Sequence, residues 1–136
     1  MRVALFVTCL ADLMRPGVAF AALRLLEHGG CTVEVPETQT CCGQPMVNTG
    51  YLDEAVPSVR AFVSAFEGYD AVVLPSGSCT GSVRHRHGLV ARRSGDPALV
   101  DGVAEMTPRV YDLSEFLVDV LGVTDVGAYF PHRATF

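Results

Sequence analysis

Five cysteines are the residues of this chain whose type and placement could do chemistry: Cys9, Cys31, Cys41, Cys42 and Cys79. Two of them are adjacent, in Gln39-Thr40-Cys41-Cys42-Gly43-Gln44-Pro45. Successive side chains of a strand point to opposite faces, so neighbours cannot both enter one core from a strand. A loop closed by Gly43 and Pro45 can turn sharply and bring both sulfurs to one side, which suits ligation better than packing. An odd number of cysteines with a vicinal pair fits a disulfide framework badly, so metal ligation or redox chemistry is the better reading. Exchange within the adjacent pair is disfavoured, because a vicinal disulfide is strained.

The elements that must position these residues can be read in order. Residues 2–8 (RVALFVT) form a short apolar run suited to a strand buried on both faces, and it leads straight into Cys9. Pro16 suits the start of a helix whose apolar stripe runs from Val18 to Leu26, ending at His28-Gly29-Gly30. Residues 31–35 predict a second strand, and the loop over 37–50 carries the paired cysteines. Residues 51–66 predict a second helix, with Pro57 kinking it or marking its true first turn. Residues 71–74 are a third buried strand, stopped by Pro75-Ser76-Gly77-Ser78-Cys79, with a helix beginning near Cys79 or Thr80. Gly95-Asp96-Pro97 starts a helix to about Met106, residues 109–111 suit a short fourth strand, and Asp112 or Ser114 caps a last helix before Gly122.

Strand, loop and helix repeated in this way predict an α/β, Rossmann-like, three-layer domain with a mostly parallel sheet of about four strands. In open sheets of this kind ligands gather outside the carboxyl ends of the strands. Cys9 follows the first strand, Cys41 and Cys42 follow the second, and Cys79 follows the third. These four can meet on one edge, whereas Cys31 opens a strand at the opposite edge and belongs to the core.

Four thiolates from three loops could hold zinc tetrahedrally or an iron–sulfur cluster. Backbone N–H groups at a helix start favour thiolate, and Cys79 is best placed to use them. Arg84 and Arg86 could offset the charge of a thiolate-ligated cluster, although such runs are most often a solvated helix face. His85 and His87, two residues apart, do not share a helix face and make a poor metal pair. His28 is read as a helix-end residue, and His132 carries no signal. Asp12 and Arg15 lie beyond Cys9 and could touch a substrate or partner, a solvated loop being the commoner case.

The 136 residues suffice for one domain with its own core, and 49% hydrophobic against 18% charged residues is a globular composition. A net charge of −5 argues against nucleic acid as a partner. No run approaches the roughly 18 apolar residues of a transmembrane segment, and residues 1–9 are too short for a signal peptide. The chain is read as cytoplasmic, peripheral to a membrane only through partners. Cys9-Leu10-Ala11-Asp12 stands where a phosphate-binding glycine fingerprint would, so a nucleotide site is disfavoured.

The spacing, Cys9, 31 residues, Cys41-Cys42-Gly43, 35 residues, Cys79, resembles the cysteine-rich CCG domain family of iron–sulfur oxidoreductase subunits. That family includes the cysteine-rich subunit of heterodisulfide reductase, the glycolate oxidase iron–sulfur subunit and the lactate utilisation protein A group. Thr40-Cys41-Cys42-Gly43-Gln44-Pro45, Asn48-Thr49-Gly50-Tyr51 and Pro75-Ser76-Gly77-Ser78-Cys79 are most similar to the last group.

The resemblance implies an electron-transfer subunit of a lactate or glycolate oxidising complex, not active alone. Cys9, Cys41, Cys42 and Cys79 would hold a 4Fe-4S cluster, the other subunits and a second CCG domain being partners. The alternative is a zinc- or thiol-organised scaffolding module without redox activity. The family pattern ends in Cys-x-x-Cys, and here either Ser76-Gly77-Ser78-Cys79, the preferred match because it keeps the pair in the loop, or Cys79-Thr80-Gly81-Ser82 puts a serine, a poorer ligand, at one of those positions. Residues 1–130 are expected to form one CCG-type domain, with 131–136 the start of a second, missing repeat whose first strand would begin at Arg133.

Overall fold

The structure, a computed structural model, describes residues 1–135. Strands β1 (Arg2–Leu5), β2 (Thr32–Glu34), β3 (Ala71–Leu74) and β4 (Val110–Asp112) form one sheet of order β2-β1-β3-β4, parallel throughout. Val3 lies opposite Val33 on one side and Ala71 on the other. All four residues of β3 are buried, as an interior parallel strand covered on both faces requires.

The connecting helices are α1 (Cys9–Met14), α2 (Gly17–His28), α3 (Gln44–Asn48), α4 (Leu52–Phe66), α5 (Gly77–Ser94), α6 (Pro97–Met106) and α7 (Leu113–Glu115). Alternating strand residues divide the core. Val3, Leu5, Ala71 and Val73 pack with Ala22 and Leu26 of α2 and with Phe116, while Ala4, Phe6, Val72 and Leu74 pack against α4, α5 and α6. On the second face the rings of Phe6, Phe62 and Phe66 meet with centroids 4.7 to 5.6 Å apart. Helices on both faces of a parallel sheet give the expected three-layer, Rossmann-like domain.

Local differences have physical causes. Cys9 does not sit in a loop but opens α1, with Asp12 N–H donating to Thr8 O at 2.9 Å. The loop after β2 contains α3, entered through Gly43 at φ 80°. Pro57 lies inside α4 rather than in its first turn; it is exposed, so water can take the carbonyl that its missing N–H leaves free. α5 begins at Gly77, ahead of the expected start, with Ser76 at its N-cap. Residues 133–135 carry no regular structure, and Phe136, the last residue of the expected further strand, lies outside the described residues. No helix among the described residues is long and apolar enough to cross a membrane.

Topology places the crevice. From β1 the chain crosses to β2 on one side, and from β3 to β4 on the other. The loops that leave β1 and β3 therefore diverge at the carboxyl edge, and the gap between them is the switch point where such sheets bind ligands.

Candidate functional site

Three loops build the site. After β1, buried Thr8 precedes Cys9. After β2, Gln39 staples the loop to the end of β1: its Oε1 accepts from Val7 N–H at 2.7 Å, and its Nε2 donates to Pro36 O at 3.0 Å. The sequence contained this glutamine at the head of the cysteine stretch, but nothing local marked it as the tie between two strands. Gly43 then takes a left-handed turn that few other residues adopt without cost, separating the Cys42 backbone from the start of α3. After β3, Ser76 occupies the N-cap position of α5 without a side-chain capping bond, and Cys79 falls in the first turn.

Cys9, Cys41, Cys42 and Cys79 all line one cavity of about 180 Å³, with Thr8, Ser76 and Ser78 beside them. The four predicted residues are thus brought together at the switch point. They form two pairs. Cys42 and Cys79 are the inner pair, buried in the core cluster with Phe6 and Phe62. Cys9 is exposed and Cys41 half-buried, and their sulfurs approach to 3.8 Å. A more open cleft of about 420 Å³ adjoins them, with Asp12, Glu37 and Thr40 on its walls. Cys31 is buried with Val3, Leu5 and Leu26, away from this edge.

The inner pair shares a proton unequally. A hydrogen bond from Cys42, against the opposing effect of burial, and further ones from Ser76 and Ser78 hold Cys79 down at about 6, below its ordinary 9.0. Its place in the first turn of α5 favours the same thiolate. Cys42 is pushed far up, first by donating to Cys79 and then by burial. Desolvation, and then contact with Cys41, raises Cys9. At neutral pH the inner pair therefore carries its charge on Cys79 and keeps its proton on Cys42, and cation binding at Cys42 must release that proton.

His87 is the residue that sequence reasoning missed. It is 1% exposed, its Nε2 lies 2.8 Å from Cys42 O, and its ring meets Phe62 edge-on with centroids 5.1 Å apart. Burial lowers its pKa, so the ring is neutral and Nε2–H donates to the carbonyl. The imidazole fixes the backbone of the cysteine pair. A signal existed: Cys79, Val83, His87 and Val90 recur every three or four residues along α5, and all are buried. A histidine on a buried stripe needs a polar partner.

Arg84 does not serve the site. Its Nε donates to Val110 O at 2.8 Å and its Nη2 pairs with Glu115 at 2.8 Å, tying α5 to β4 and α7. Arg86 is exposed on the same helix. Asp12 contributes to the open cleft rather than to the cysteine cavity.

Four thiols around one cavity are the donor types that a thiolate-ligated cluster would need. A 4Fe-4S cluster takes four cysteine thiolates, and four thiols surround a cavity rather than a point. One zinc ion at about 2.3 Å from each sulfur draws its ligands to about 3.8 Å from one another. The Cys9–Cys41 pair meets that spacing. Among the described residues, no group of three or more His, Cys, Asp or Glu side chains is arranged to hold a metal ion.

A parallel α/β domain that turns four thiols into the crevice at its switch point is a cysteine-rich site domain. The chain belongs to the CCG cysteine-rich domain family, whose model matches residues 3–84. It is similar to lactate utilization protein A of Geobacillus thermodenitrificans, 43% identical over 136 residues, all of this chain and 56% of that protein. The protein of the same name from Bacillus subtilis is 42% identical over 135 residues, 99% of this chain and 56% of the relative. That from Exiguobacterium is 45% identical over 136 residues, 98% of this chain and 54% of the relative. The chain thus spans about half the length of the curated relatives it matches. No solved structure matches it.

Proposed function

We propose that this domain is the cluster-bearing part of a cytoplasmic electron-transfer subunit in lactate utilisation, with Cys9, Cys41, Cys42 and Cys79 as the ligands. The observation that carries this reading is the single cavity lined by all four sulfurs at the carboxyl edge of the sheet. A bound 4Fe-4S cluster supplies one-electron chemistry whose potential depends on ligand charge, hydrogen bonds and exposure. The chain's own residues set those conditions. Cys79 is already biased to thiolate, His87 fixes the Cys42 backbone, and exposed Cys9 puts the outer wall of the cavity within reach of a partner. The names of the relatives support lactate as the metabolic context. The hydroxy-acid chemistry, the second CCG domain and the remaining subunits belong to the whole assembly.

Anaerobic reconstitution with ferrous iron and sulfide tests the proposal. The expected product is brown, with a broad visible absorbance, a reducible signal and about four irons per chain. Cys41→Ser and Cys42→Ser should each lose it; an unchanged signal in both variants removes these residues as ligands. The Cys9–Cys41 separation favours a second reading, a zinc-organised module. Stoichiometric zinc without iron after anaerobic handling would select it.

A further inference from the structure

The outer sulfur pair has a chemistry that does not depend on which cofactor the cavity takes. We propose that Cys9 and Cys41 form a reversible disulfide when no cofactor holds them, withdrawing two sulfurs from the site and latching its outer wall. The two sulfurs are already in contact at 3.8 Å although the residues are 32 apart in the chain. A disulfide needs an S–S distance of about 2.05 Å, so the pair must close by roughly 1.8 Å. Little opposes that movement, because α1 buries none of its side chains. On the other side Gln39 holds the Cys41 loop against the end of β1 and keeps the second sulfur in place.

Access selects this pair over the others. Cys9 and Cys41 both border the open 420 Å³ cleft, whereas Cys42 and Cys79 are buried and Cys31 lies in the opposite core cluster. Exchange requires that an oxidant reach a sulfur, and Cys9 is the exposed one. The Cys41–Cys42 bridge that the sequence first brings to mind is strained, while Cys41 with Cys9 spans two separate segments.

The oxidant is a small-molecule disulfide, RS–SR. The Cys9 sulfur attacks it, forming a mixed disulfide and releasing one RSH that carries the proton Cys9 gives up. The Cys41 sulfur then attacks the Cys9 sulfur, closing the intramolecular bond and releasing the second RSH with the proton from Cys41. Two protein thiols lose two electrons in total, and the small disulfide gains them. A dithiol reverses both steps.

Trypsin makes the test direct, since the basic side chains that direct its cleavage are all arginines. Cleavage after Arg2, Arg24, Arg60 and Arg84 isolates Cys9 in residues 3–24, Cys41 with Cys31 and Cys42 in 25–60, and Cys79 in 61–84. Metal-free chain treated with oxidised glutathione, blocked with iodoacetamide and digested should yield a linked 3–24/25–60 species. Dithiothreitol should abolish it, and Cys41→Ser should reduce it about tenfold or more, whereas Cys31→Ser should leave it intact. A link between 25–60 and 61–84 in its place, no link at all, or persistence in Cys41→Ser overturns the proposal. The consequence for the site rests on the reading given above: oxidised chain should take up iron and sulfide far less than the same chain reduced again. If the reduced chain also takes up no iron, the cluster reading fails while the peptide map still decides the latch. Equal uptake by oxidised and reduced chain, with the link present, refutes its gating of the site.

Discussion

Replacing His87 by Phe tests whether the imidazole is there for its hydrogen bond. Phe keeps a ring in place of the imidazole against Phe62, so it retains most of the packing and removes only the donor that Cys42 O now receives at 2.8 Å. A buried acceptor left without a partner costs about 1–3 kcal/mol. A chain of 136 residues has a urea dependence within the usual range of about 1–3 kcal/mol per molar, so the unfolding midpoint of the reduced, metal-free protein should fall by roughly 1 M. His87→Gln, which keeps a donor, should recover much of that loss. Acid adds an independent readout. Native His87 stays neutral below its ordinary 6.5, because burial lowers its pKa, while the unfolded chain takes up the proton. The unfolded state then binds more protons, and wild-type stability should fall as pH drops below about 6.5, by up to about 1.4 kcal/mol per pH unit. His87→Phe should lack this contribution. A midpoint unchanged in His87→Phe, with the same acid dependence as wild type, would refute the role of the imidazole in holding the cysteine loop.

Two further outcomes follow from the same geometry. Gly43→Ala must accept a left-handed residue at φ 80° with its new Cβ 3.4 Å from Ser58 Cβ, and should cost about 1–2 kcal/mol in urea unfolding while lowering iron uptake. In the reduced, metal-free chain, iodoacetamide should label Cys79 with a pH midpoint near 6 instead of 9.0, and Ser76→Ala should move that midpoint upward; a midpoint near 9 in the wild type would show that the thiolate is not held.

The sheet was legible because β1 and β3 lie in short apolar runs that lead into Cys9 and Pro75-Ser76, and the placing of cysteines after successive strands already implied a shared edge. Strand order was not legible, since β3 pairs with β1 at residues 68 positions apart and no local pattern records that choice. The two short helices escaped for different reasons. α1 carries Leu10, Leu13 and Met14 to solvent and has no buried stripe to give a helical period. α3 opens with Gly43 and Pro45, residues that read locally as a turn. The contact between Cys9 and Cys41 is likewise a product of topology: β1 and β2 are adjacent and parallel, so their carboxyl ends, and the loops that leave them, emerge side by side.

That topology also explains what a serine does where the family resemblance calls for another sulfur. Ser76 is the N-cap of α5, and its hydroxyl lies 3.3 Å from that of Ser78 at the mouth of the helix. A cysteine there would add a fifth thiol to the crevice and a weaker hydrogen-bonding partner for Ser78. The hydroxyls instead lower the pKa of Cys79, behind the hydrogen bond from Cys42 in effect. The position thus supplies a donor to the thiolate in place of a second thiolate. With the inner wall committed to Cys42 and Cys79, any change in the number of sulfurs available to a cofactor falls on the exposed outer pair, and a shift of state at Cys9 and Cys41 can leave the buried core of the domain undisturbed.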